Sequence, residues 1–138
     1  MPGSEKRAAM TGRICMVTGA NSGIGKETAL GLSRMGATVV MVCRDQGRGE
    51  AALSEIAARS NSQHVELMIA DLSSQRSIRR LATEYREKHD RLHVLVNNAG
   101  TIIGKRTVTD DGLETTFALN HLGYFLLTVS LLDLLKAG

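Results

Sequence analysis

Apolar residues along this chain alternate between short continuous runs and helically spaced stripes. Ile14–Val17 is a short apolar run, and Thr38–Val42 is β-branched and apolar, the pattern of strands buried on both faces. His64–Ile69, ending at Asp71, and Leu92–Val96 are predicted as the third and fourth strands. Between these runs the period becomes helical. One helix is predicted from about Ile24 to Arg34, with Gly36 closing it as a glycine C-cap. A second covers Gln46–Arg59, with Ala52, Ile56 and Ala57 on its inner side. A third starts behind a Ser73 or Ser74 cap and carries Ile78, Leu81, Ala82 and Tyr85 at helical spacing. On it Glu84 with Lys88, and Glu87 with Arg91, stand four apart with the acid first, which supports a solvated helical face. After the fourth strand and a loop, a long helix is predicted from about Asp111 to Lys136.

Strands alternating with helices imply parallel pairing through right-handed crossovers. The predicted fold is therefore α/β, a Rossmann-type doubly wound sheet of four strands in the order 3-2-1-4. That is little more than half of a complete two-nucleotide sheet, so the domain is expected to be incomplete. Residues 1–12 are expected to be a flexible segment, and 13–138 the dinucleotide-binding domain.

Composition narrows the field without choosing a function. A chain of 138 residues can bury a core without disulfides or metal. The net charge of +3 is mild, and Lys and Arg are scattered among acids, which argues against a nucleic-acid partner. Met1–Met10 has no apolar core, so it reads as neither signal peptide nor anchor. The longest apolar run, Leu122–Leu132, is too short for a bilayer, which needs about 20 residues, and a cytoplasmic location without a membrane span is expected. Cys15 and Cys43 lie in apolar runs and are expected to be reduced, buried thiols rather than a disulfide or a metal site.

The chemistry-bearing segment is Thr18-Gly19-Ala20-Asn21-Ser22-Gly23-Ile24-Gly25, between the first strand and the first helix. Gly19 allows a tight turn, Gly23 leaves room for a pyrophosphate against the backbone, and Gly25 lets the helix pack near the sheet. The helix amino terminus then offers free N–H groups and partial positive charge to phosphates. A glycine pattern alone is weak, but here it has the strand–turn–helix context that the function requires.

The spacing resembles the Thr-Gly-x-x-x-Gly-Ile-Gly signature of the short-chain dehydrogenase/reductase family. Asn97-Asn98-Ala99-Gly100, at the end of the fourth strand, matches that family's second signature. The resemblance runs from Arg13 to Gly138, and the wording of the turn with Cys43-Arg44-Asp45 looks most like the retinol dehydrogenase-like branch. It implies an oxidoreductase that interconverts carbonyls and alcohols with a nicotinamide cofactor. The implied cofactor-binding residues are Gly19, Asn21, Ser22, Gly23, Ile24, Gly25, Arg44, Asp71, Leu72, Asn98, Ala99 and Gly100. Asp71-Leu72 would lie against the adenine and Asn98-Ala99-Gly100 along the ribose, while Asn97 would hold the sheet together. The acid that binds ribose hydroxyls in NAD-dependent members falls on Cys43, which cannot accept those bonds, and Arg44 follows it. A guanidinium fork suits a 2′-phosphate, so NADP(H) is expected over NAD(H). Asp45 is the competing acid, with helix capping as its other use.

Of the family's catalytic set only the Asn has a match, Asn120 in Leu119-Asn120-His121. A helix-kinking structural Asn is the competing reading. Tyr85 and Tyr124 do not begin Tyr-x-x-x-Lys, and the family's Ser would stand on a fifth strand beginning about where this sequence stops, at Gly138. His89 and His93 straddle a helix end and a strand and do not share a face as metal ligands would. The segment is therefore expected to bind NADP(H) but to be inactive alone. The alternative is a non-catalytic NADP(H)-binding or protein-interaction module. The helix over 111–136, apolar nearly all round, is expected to serve a homodimer or a missing carboxyl-terminal half.

Overall fold

Four parallel strands, β1 (Ile14–Thr18), β2 (Thr38–Cys43), β3 (Val65–Ile69) and β4 (Val94–Val96), form one sheet in the order β3-β2-β1-β4. The computed structural model describes residues 9–138. Most of the expected flexible segment, residues 1–8, lies outside the described residues; beyond it, the Met10 N–H donates to Met35 O at 2.9 Å. Register is set by pairs such as Ile14 with Thr38, Cys15 with Val94 and Val39 with Val65.

Alternate residues of each strand feed two cores. Cys15, Val17, Val39 and Met41 pack with Ala29, Leu30, Ala52 and Ile56 of helices α1 (Gly23–Arg34) and α2 (Gln46–Ser60). Met16, Val40, Val42 and Met68 face the other way, against Ile78, Leu81 and Tyr85 of α3 (Gln75–Lys88) and against Leu127. Burial on both faces is why β1 and β2 read as unbroken apolar runs. Cys15 and Cys43 are free, buried thiols whose pKa is raised by that burial.

Helix ends follow their chemistry. Gly36 N–H donates to Ser33 O and Ala37 N–H to Leu32 O, the paired bonds of a Schellman ending, with Gly36 at φ +92°. Asp45 caps α2 by accepting from Arg48 N–H at 2.8 Å, and Ser74 rather than Ser73 caps α3. Gly49 joins Ala52 and Ile56 on the buried side of α2, while Ala57 is half-buried. Glu84 pairs with Arg80 at 3.6 Å instead of Lys88, and Arg91 lies past the helix end and pairs with Asp90.

The single long helix predicted over 111–136 is not formed. Residues 109–112 instead make a tight turn, with Gly112 at φ +77° and Gly112 N–H bonded to Thr109 O, and Val108 bridges Glu114. Glu114 caps the short helix α4 (Thr115–Phe117), which runs into a π-helical turn over Ala118–Leu122. Then come α5 (Gly123–Ser130), a break at Leu131, and α6 (Leu132–Ala137). Arg86 of α3 pins that break, holding Ser130 O and both oxygens of Asp133, the latter at 2.6 and 2.7 Å. Among the described residues no helix is long and apolar enough to cross a membrane.

Candidate functional site

The strands' carboxyl ends open into a cavity of about 540 Å³, where ligands of open α/β sheets bind. Its near wall is the turn between β1 and α1. Gly19 sits at φ +64°, and a Cβ there would lie 2.9 Å from Ala99 Cα, so only glycine keeps the two loops this close. Gly25 is buried behind the turn, and a Cβ on it would meet Gly19 O at 2.3 Å and Asn98 Nδ2 at 2.4 Å. This is the close helix–sheet packing expected of Gly25. It supports the cavity from behind and does not line it.

Gly19, Asn21, Ser22, Gly23 and Ile24 line the near wall. Nothing stands within 4 Å of a Cβ built on Gly23, so the backbone of the first helical turn is open on that side. Ser22 occupies the N-cap position of α1 but its hydroxyl makes no capping bond, and no acid stands in the first turn. The first-turn N–H groups are therefore available to an anion.

The far wall brings together segments distant in sequence. Arg44 leaves the end of β2 exposed and has no carboxylate partner among the described residues. Asp45 is turned into the α2 cap, the alternative weighed for it. Asp71 and Leu72 follow β3, and Asp71 Oδ1 accepts from both the N–H and the hydroxyl of Ser73, at 3.0 and 2.7 Å. Asn98, Ala99 and Gly100 line the floor after β4.

Thr18 organises that floor. Its buried hydroxyl accepts from Asn98 N–H at 2.9 Å and Ala99 N–H at 3.0 Å. Asn98 Nδ2 in turn donates to Thr18 O and Gly19 O. The sheet-tying part expected of Asn97 thus falls to Asn98. Asn97 reaches across to Thr128 Oγ1 at 3.2 Å, leaving its own Oδ1 buried without a partner among the described residues.

Asn120 stands in the π-helical turn, outside the cavity lining. Oδ1 accepts from Thr101 N–H at 2.9 Å, and Nδ2 donates to Thr101 O at 2.7 Å. Both ends of the amide therefore hold the backbone just past Gly100. Tyr124 adds a bond from its hydroxyl to Ala99 O, and partial burial raises its pKa. In the sequence Thr18 figured only as the start of the glycine turn and Cys43 only as the residue in the acid's place, and no site role fell to Tyr124 or to Val42, Thr101, Ile103, Thr115 and Leu119, the last five of which also line the cavity. Thr18 had a signal, since a Thr closing a strand before a glycine turn can bond what lies beside it. The 101–119 residues had none, because they reach the cavity only through the chain's fold-back.

Comparison with known proteins agrees with this geometry. The family described as short chain dehydrogenase matches residues 13–138. Human Dehydrogenase/reductase SDR family member 12 is 47% identical over 125 residues, covering 91% of this chain and 39% of that protein. Human Retinol dehydrogenase 13 is 45% identical over 132 residues, covering 96% of this chain and 40% of that protein. The chain thus spans about 40% of the length of these curated relatives. Among solved structures, the Pseudomonas aeruginosa RhlG/NADP active-site complex superposes with TM-score 0.82 at 35% identity, over 96% of this chain and 51% of that one. A short chain dehydrogenase from Shigella flexneri complexed with NADP gives 0.80 at 29% identity, over 96% and 57%. With its glycine turn, its Asn-Asn-Ala-Gly strand end and its 3-2-1-4 sheet, this chain belongs to the short-chain dehydrogenase/reductase family of nicotinamide-dependent oxidoreductases.

Proposed function

We propose that this chain supplies the NADP(H)-binding part of an oxidoreductase that interconverts carbonyls and alcohols. The observation that carries the reading is the cavity between the Thr18–Gly25 turn and Arg44, with a cation and no free acid where the adenosine ribose would lie. The first turn of α1 receives the pyrophosphate on its open N–H groups. Asp71 and Leu72 take the adenine end, Arg44 the 2′-phosphate, and Asn98, Ala99 and Gly100 the second ribose. When bound, the nicotinamide supplies or accepts the hydride. Asn120 holds Thr101, and through it the floor of the site beside Gly100. The names of the retinol dehydrogenase relatives favour an apolar alcohol or aldehyde as substrate.

No Ser and Tyr-x-x-x-Lys set stands in this chain to donate a proton to a reduced carbonyl, so the 138 residues alone are expected to bind without turning over. Calorimetric titration tests the binding: NADPH saturates the chain and binds more tightly than NADH. Equal affinities would remove the cofactor preference, and no heat with either would remove the binding itself. NADPH oxidation by the verified chain with carbonyl substrates would overturn the inactivity. A second reading, a non-catalytic module working through protein contacts, draws on the exposure of Phe117, Phe125, Val129 and Leu132 along one stretch of the chain.

A further inference from the structure

Between Thr101 and Thr107 the chain is fastened only at its ends. Asn120 holds Thr101 by both its N–H and its carbonyl, at 2.9 and 2.7 Å. Thr107 is tied to Thr115, whose N–H donates to Thr107 O at 3.0 Å, while the two hydroxyls bond at 2.7 Å. The five residues between, Ile102-Ile103-Gly104-Lys105-Arg106, are exposed and form no hydrogen bond or ion pair with any described residue. A Cβ built on Gly104 has nothing within 4 Å, so the middle of the segment has open space to move into.

This segment borders the main cavity, which Thr101, Ile103 and Thr115 line together with Ile24 of the near wall. Ile102 is 90% exposed and Ile24 79%, so two large apolar side chains stand in water at the edge of one cavity. Covering them is favourable. Over an empty cavity, however, a cover would also strip water from the first-turn N–H groups of α1 and give them no acceptor. A bound dinucleotide removes that cost, because its pyrophosphate accepts from those groups and its negative charge attracts Lys105 and Arg106. With both ends of the segment already fixed, closing orders few further residues.

Resting on the NADP(H) reading above, we infer that residues 102–106 are a strap that closes over the bound dinucleotide beside Gly100 and slows its release. Trypsin reads the strap directly, because both of its cations are cleavage points. In the free 138-residue chain the first cuts fall after Lys105 and Arg106, identified by mass. Saturating NADPH slows them about tenfold, since cleavage follows the open population. Saturating adenosine 2′,5′-bisphosphate, which lacks the nicotinamide half, leaves them unchanged. Ile102→Gln, which removes no contact within the free chain, releases NADPH several-fold faster by stopped-flow fluorescence and melts like wild type.

NADPH that binds by calorimetry but leaves the Lys105 and Arg106 cuts as fast as before overturns the strap and leaves the NADP(H) reading standing. Equal protection by the bisphosphate, or unchanged release in Ile102→Gln, also overturns the strap alone. A chain that does not bind NADPH overturns both together.

Discussion

The side-chain amide of Asn98 bonds the carbonyls of Thr18 and Gly19 at 3.1 and 3.3 Å, and Gly25 presses its bare Cα against that same amide. Helix, glycine turn and the end of β4 therefore meet at one point with no room for a methyl group. In Gly25→Ala the better helix propensity of alanine, about 1 kcal/mol, opposes a contact at 2.4 Å that no real Cβ makes. The clash wins, at a net cost of about 1–3 kcal/mol for overpacking. The expected result is a lower melting temperature and loss of NADPH binding, read by thermal denaturation and calorimetry.

Thr18→Val keeps the shape and removes the hydroxyl. Two backbone N–H groups, of Asn98 and Ala99, then lose their acceptor in a part-buried place. An unsatisfied group costs about 1–3 kcal/mol, so the variant is expected to unfold at clearly lower urea concentration than wild type. Thr18→Ser, which keeps the hydroxyl, recovers most of the loss.

Arg44→Ala tests the cofactor preference. Removing one guanidinium from a phosphate contact weakens NADPH by about tenfold and leaves NADH nearly unchanged. Equal losses for the two cofactors would show that Arg44 does not read the 2′-phosphate.

The fork of Arg86 on Asp133 holds the Asp133 carboxyl down to about 2. A carboxylate with a depressed folded-state pKa adds stability that is present above its unfolded value, near 4, and is lost as pH falls through the folded value. The stability difference between wild type and Asp133→Asn is therefore expected to be constant from neutral pH to about 4, and to vanish towards pH 2. Asp133 is exposed, so the difference is small and shrinks in salt. Denaturant melts of both proteins at stepped pH would reveal it, and a difference independent of pH would exclude the ion pair as its source.

Asn120→Ala frees the backbone of Thr101. Hydrogen exchange of the Thr101 amide and its neighbours is expected to speed up, while the amides of β1 and β2 keep their protection. No change at Thr101 would remove the holding role of Asn120.

The sheet and the glycine turn were legible because each rests on local rules. Unbroken apolar runs such as Thr38–Val42, short and rich in β-branched residues, read as strands covered on both faces, and helices between them favour parallel pairing in one hand. Gly19 and Gly25 were legible because their roles need only a missing Cβ. The 111–136 segment misled for the opposite reason. Its apolar spacing was helical, but the turn at Gly112 closes locally on Thr109, and the π-helical turn and the break at Leu131 are held by partners elsewhere: Thr101 bonded to Asn120, and Arg86 to Ser130 and Asp133. Asn97 and Asn98 are adjacent and chemically identical, so no local rule assigns one to the sheet and the other to a helix. By itself the sequence determined the order of elements, the parallel sheet and the phosphate turn, through burial and backbone sterics. Only the tertiary structure decided which polar groups bond across the chain, because hydrogen bonds are directional and their partners here lie up to 81 residues apart.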